Sequence, residues 1–179
     1  MNQSQRPVIF LDFDDVICLN RPYGGYDAKL AIHDESSEVW ARLFDAKAKQ
    51  HLEMLHEKFT PWFVISSSWW WLFDREELVE VMQRSGLSFV SDSLHSAWAT
   101  PKQSRQGMRA TEVKSWLALH PEFSNAWVVI DDKLSGTGFK NWSREALSYV
   151  VLCQLEVGLQ TLEVAQLHDA LERRMNIKS

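Results

Sequence analysis

The chain has 179 residues, 45% of them hydrophobic and 24% charged, enough for one folded domain over residues 1–179 and too apolar for a disordered tail. A formal net charge of -5 argues against a broad basic surface for duplex nucleic acid, while leaving room for a local grip on one phosphate. No run of eighteen apolar residues and no signal-like N-terminus is present, so a cytoplasmic protein without membrane attachment is expected. In chain order, apolar runs at Pro7–Leu11, Trp62–Ile65, Leu87–Val90, Ala126–Ile130 and Leu147–Leu152 read as about five strands buried on both faces. Between them, Val39, Trp40, Leu43, Phe44, Leu52 and Leu55 repeat at helical spacing, with a break near Asp45. Asp74 and Glu77 form a capping box for a helix that Gly86 ends. Val113, Trp116 and Leu117 mark a helix closed before Pro121, and a last helix begins at Thr161. Strands alternating with helices predict an α/β fold with a central parallel sheet. Cys18 and Cys153, each beside apolar residues, are expected as packed thiols.

The chemistry collects where strands end. Three apolar runs stop at Asp12-Phe13-Asp14-Asp15, at Ser66-Ser67-Ser68 and at Asp131-Asp132. Any one such ending can be a helix cap. Three together point to a ligand site, because open parallel sheets bind ligands at the carboxyl ends of their strands. Carboxylates crowded in one pocket cannot all stay ionised without a cation. Hard oxygen donors suit Mg²⁺, and no His or Cys cluster offers a softer alternative: His51 and His56 are five residues apart, the wrong spacing for one helical face.

Phe10-Leu11-Asp12-Phe13-Asp14-Asp15-Val16-Ile17 resembles the first motif of the haloacid-dehalogenase (HAD) superfamily, an apolar strand followed by Asp-x-Asp. The resemblance implies a three-layer α/β/α Rossmann-like fold and a Mg²⁺-dependent phosphatase working through an aspartyl-phosphate. It makes Asp12 the nucleophile and Asp14 the general acid and base. Family members often carry Gly where this chain has Asp15. Val64-Ile65-Ser66-Ser67-Ser68-Trp69 is similar to the second motif, whose Ser or Thr hydrogen-bonds the phosphate; Ser67 is favoured, with Ser66 next and Ser68 beside them. The Ser-Ser-Trp ending resembles a small HAD subgroup linked to RNA-repair proteins, although that subgroup usually continues with Arg where Trp70 stands here. The third motif, a lone base that neutralises phosphate charge, falls on Arg109, with Lys102 and Lys114 as alternatives. Val128-Val129-Ile130-Asp131-Asp132 fits the fourth. The implied Mg²⁺ set is Asp12, the carbonyl of Asp14, and Asp131 or Asp132, with Asp132 favoured as the direct ligand. Cys153-Gln154-Leu155-Glu156-Val157-Gly158-Leu159 is also similar to the end of the RNA-repair-linked subgroup.

HAD enzymes place the first strand between the second and fourth, and many carry a cap domain. Here residues 17–59 leave room for a flap (Arg21–Asp27) and one or two helices, and residues 109–131 for one helix and a turn. The expected protein is capless, with an open site suited to a phosphorylated substrate such as a nucleic-acid 5′ or 3′ end, and Trp69 or Trp70 offers a face for an unpaired base. No membrane and no obligate protein partner is implied. Two alternatives stand beside this reading. One is a nucleotide or small-metabolite phosphatase with Tyr23–Tyr26 as a lid. The other is a non-catalytic phosphate-binding or interaction protein on the same scaffold, against which the intact Asp12/Asp14 pair speaks.

Overall fold

The computed structural model describes residues 6–102 and 108–176. Its centre is a five-stranded, all-parallel sheet of β1 (Val8–Leu11), β2 (Trp62–Ile65), β3 (Leu94–Ala99), β4 (Trp127–Asp132) and β5 (Val150–Cys153) in the order β3-β2-β1-β4-β5. β1 is central, its Leu11 paired in register with Ile65 on one side and Ile130 on the other. Strand order reverses there, and so the residues after Leu11, Ile65 and Ile130 are brought to one place.

Helices cover both faces. Phe10 meets Trp116 of α6 (Arg109–Leu119) edge-on at 5.2 Å, whereas Phe63, on the same face as its register partner Ile9, stacks near His56 of α3 (Ala46–Phe59). Adjacent strand residues point to opposite faces, so α6 and α3 define the two outer layers. The one-turn α7 (Arg144–Leu147) precedes β5, and α8 (Thr161–Asn176) lies beside α3 and against β4 and β5. The core is continuous, with Val8, Ile9, Phe10 and Leu11 fully buried, as two-sided coverage requires.

The local signals for helix ends act as expected. Asp45 accepts from the Ala48 amide and starts α3 after the short α2 (Val39–Arg42). Asp74 and Glu77 exchange both capping-box bonds at the start of α4 (Arg75–Arg84), and Gly86 follows with a positive φ of 81°. One strand assignment is corrected. Leu87–Val90 is not a strand: Ser88–Ser91 forms a helical turn, α5, and the edge strand is Leu94–Ala99. Leu87 and Val90 are both buried and the Val90 amide donates to the Leu87 carbonyl, so the apolar pair follows a helical spacing rather than a two-residue one.

Between β1 and α3 the chain forms only short helices, α1 (Gly25–Ala31), after the cis Arg21–Pro22 bond, and α2, and among the described residues β3 is followed by α6 and a 3-10 turn. No cap-sized insertion stands over the sheet among the described residues. None of the described helices is long and apolar enough to cross a membrane.

Candidate active site

The carboxyl ends of β1 and β4 hold a buried acidic cluster. One carboxylate oxygen from each of Asp12, Asp131 and Asp132 lies within 4.8 Å of the other two, and all three residues are buried. Asp12 follows β1, while Asp131 and Asp132 end β4, paired with Leu152 and Cys153 of β5. Removal from water pushes the Asp12 carboxyl up to about 6; Arg109 opposes the shift and Asp14 adds to it, with hydrogen bonds from Ser67 and the Phe13 backbone also opposing. Burial raises Asp131 well above the usual carboxylate range, and the neighbouring Asp12 adds to this.

The cation among these acids is Arg109, at the first position of α6. Its guanidinium lies 3.5 Å from Asp12, 3.1 Å from Asp131 and 3.2 Å from Glu112. Burial alone would lower its pKa, but Asp12, Asp131, Glu112 and Asp132 together outweigh that and raise it. The contact to Asp131 is ionic only, because the Nε–H is not aimed at Oδ2 and both atoms are buried without a hydrogen-bond partner. A buried carboxylate oxygen with no donor, facing two further carboxylates, is a fitting place for a divalent cation. Asp12, Asp131 and Asp132 are the residues that would hold it, with hard oxygen donors appropriate to Mg²⁺.

Glu112 was not singled out by its sequence pattern, since it lies in a polar stretch of a helix. It is buried and three residues beyond Arg109, on the same helical face. That spacing was the available signal. Lys114 is removed from the site: its ammonium lies over the Trp142 ring, in a separate groove with Leu117 and Trp127. Lys102 sits over the rings of Trp70 and Trp71, at 4.6 and 4.7 Å, rather than among the acids.

Asp14 occupies a different environment from Asp12. Its carboxylate stands outside the three-acid cluster and is held by three donors: the Trp69 indole at 3.0 Å, the Asn20 amide at 3.2 Å and the Ser68 hydroxyl at 3.2 Å. The three serines divide similarly. Ser67 hydrogen-bonds Asp12 and also accepts from the Trp69 amide, starting the 3-10 turn Ser68–Trp71. The Ser66 hydroxyl is buried without a partner, and Ser68 lines the cleft.

Asp15 explains the departure from Gly. It has a φ of 55°, a left-handed conformation that Asp tolerates better than most residues, and its carboxylate accepts from the Glu156 amide at 2.7 Å. Gly158 supports the same loop. A side chain there would meet the Val16 carbonyl at 2.9 Å, and its φ of 74° is also left-handed. The 153–159 segment is thus a brace under the Asp12–Asp14 loop.

Above the acids opens a cleft of about 410 Å³, lined by Asp12, Asp14, Asn20, Ser68, Arg109 and Ser135 and by Gly25, Tyr26, Trp69, Trp71 and Leu72. Trp69 and Trp70 are buried, contrary to the expectation that they offer an exposed face; the exposed ring is Trp71. Both cysteines are buried free thiols, and burial raises the pKa of each, that of Cys18 to about 12.

A parallel sheet with paired acids after its central strand, a second acidic pair on the neighbouring strand and a helix-borne cation between them has the layout of a HAD-type hydrolase. Residues 8–164 match the family model described as the HAD domain in Swiss Army Knife RNA repair proteins, and the chain belongs to that family. At the superfamily level this supports phosphatase activity of the HAD type. No curated protein and no solved structure gives a significant match.

Proposed function

We propose that the chain is a Mg²⁺-dependent phosphomonoester hydrolase that works through an aspartyl-phosphate on Asp12, with nucleic-acid terminal phosphates as its substrate. The observation that carries this reading is the separation of the two acids of one motif. Asp12 is buried beside Arg109, Asp131 and Asp132, while Asp14 is fixed by Trp69, Asn20 and Ser68 at the cleft wall. Arg109 and the Ser67 hydrogen bond favour the ionised form that Asp12 needs as a nucleophile, and Asp14 lines the cleft where a leaving group would lie.

In the first step an Asp12 carboxylate oxygen attacks phosphorus while the ester P–O bond breaks, and Asp14 delivers its proton to the leaving oxygen. In the second, Asp14 takes a proton from water, the water oxygen attacks phosphorus, and the bond to Asp12 breaks. Arg109 offsets the charge that gathers on the phosphoryl oxygens. The Ser66 and Ser67 hydroxyls are the donors nearest the end of β2 for those oxygens. A bound Mg²⁺ would supply further charge neutralisation. Nucleic-acid ends are favoured because the family description names RNA repair and because no cap-sized insertion closes the cleft among the described residues.

The test is kcat/KM for a terminally phosphorylated oligonucleotide, a mononucleotide and a sugar phosphate, at one salt concentration, with Mg²⁺ and with chelator. The oligonucleotide should win, and chelator should abolish turnover. A tenfold preference for the sugar phosphate would turn the reading to a small-metabolite phosphatase.

A further inference from the structure

The acids and Arg109 account for the floor of the cleft, but not for its mouth. Tyr26 and Trp71 line that mouth and are 76% and 45% exposed, although the neighbouring Trp69 and Trp70 are buried. Large exposed rings beside a charged floor gain little from water and are available to a ligand. The cleft, at about 410 Å³, is in the size range of sites that take a small organic molecule rather than a bare phosphate.

The arrangement is preformed. Trp71 stacks on Trp70, ring centres 5.0 Å apart and planes 17° from parallel, and the Lys102 ammonium lies over both rings. Trp70 is buried, so the pair is fixed and only the outer ring is left to be covered. Tyr26 is brought to the same cleft by a close approach of α1. A side chain at Gly25 would meet the Trp69 ring at 3.0 Å and Leu72 at 3.2 Å, so the helix start sits directly against the turn that carries Trp71.

We propose that Trp71 and Tyr26 form a stacking site for the unpaired terminal base of the phosphorylated strand, which makes the enzyme selective for single-stranded ends. This deepens the phosphatase reading of the floor and rests on it. A nucleobase is the planar group that can extend a Trp70–Trp71 stack while its own phosphate reaches Asp12. Stacking is tolerant of base identity, since each base presents a π-face. The Lys102 ammonium beside the rings complements the phosphodiester that follows the base. A blunt duplex end keeps its terminal base paired and stacked within the helix, and a sugar phosphate has no base. The chain's net charge of -5 restricts the contact to the end of the strand.

The experiment measures binding and turnover separately. In the full-length chain carrying Asp12→Asn, fluorescence anisotropy compares a terminally phosphorylated single strand with the same strand whose terminal nucleotide is abasic. The base should tighten binding about tenfold or more, and Trp71→Ala should erase that difference, whereas Trp71→Phe should keep most of it. In the active enzyme, Trp71→Ala and Tyr26→Ala should raise KM for the single strand at least tenfold more than for glycerol phosphate. Leu119→Ala, an exposed residue distant from the cleft lining, should change neither. Equal affinity for abasic and base-bearing ends would overturn the stacking site. Absence of any phosphatase activity would instead sink the reading of the floor, and the binding comparison would still decide the rim.

Discussion

The floor and the rim of the cleft are built on opposite principles. In the floor, Asp12, Asp131, Asp132, Glu112 and Arg109 are all buried, and their charges are tolerable only because they compensate one another. At the rim, Tyr26 and Trp71 are exposed and uncharged, and Trp71 rests on the Trp70 ring with no buried charge to compensate. Removing one member of the floor therefore disturbs the rest, whereas removing a ring should leave the buried charges balanced and chiefly change what the cleft holds. On the proposed reading, chemistry and stability are coupled in the floor and specificity is separable at the rim.

The sharpest break of the floor is Asp12→Asn. It removes the proposed nucleophile while keeping shape, and turnover should fall on the order of 10⁴-fold or more with the fold retained by circular dichroism. Near-normal turnover in a verified preparation would exclude the covalent route.

Arg109→Leu probes stability rather than chemistry. It leaves Asp12, Asp131 and Glu112 without their shared cation, and breaking a buried ion pair costs about 3–5 kcal/mol. The denaturant midpoint should drop accordingly, and an unchanged midpoint would mean that the floor charges do not depend on Arg109.

Glu112 should matter less, because it acts through Arg109. Glu112→Ala should lower kcat about tenfold with KM little changed, the scale of a hydrogen bond to a charged group. Glu112→Gln, which can still accept from the guanidinium, should recover most of it. Equal losses in both variants, or a loss in KM alone, would make Glu112 a packing residue.

The smallest effect lies outside both regions. His56 is partly buried, stacks near Phe63 and Phe89 and bonds Ser93, and burial lowers its pKa from the ordinary 6.5, with Arg6 adding to the shift. A depressed folded-state pKa gives stability that is full above the unfolded value and is lost as pH falls through the folded one. The Tm advantage of wild type over His56→Gln should therefore shrink between pH 7.5 and 5.5. An advantage that grows on acidification would contradict the assigned direction.

The sequence revealed the floor better than the rim, for physical reasons. Strand ends carry ligands in open parallel sheets, so Asp12, Asp14, Ser66–Ser68 and Asp131–Asp132 were visible as interrupted apolar runs, and each lies at the carboxyl edge. Arg109 was visible as the base opening a helix. The edge strand was not, because only Leu94 of Leu94–Ala99 is buried and its weak pattern was outcompeted by the apolar Leu87–Val90 turn. Glu112 read as a solvated helix residue, and only its three-residue spacing from Arg109 hinted otherwise. The exposed tryptophan of the three is Trp71, not Trp69 or Trp70. In the 3-10 turn Trp69 packs on Phe13 and Phe44, while Trp70 and Trp71 stack on each other and Trp71 takes the outer place, which depends on contacts distant in sequence.

The central claim is that phosphate passes through Asp12. The direct measurement is acid quenching of the enzyme during turnover of a radiolabelled terminal phosphate with Mg²⁺, followed by peptide mapping. The label should appear on the peptide containing Asp12, decay when substrate is exhausted, and be absent from Asp12→Asn. Full turnover with no protein-bound label, or label on a peptide lacking Asp12, would contradict the account.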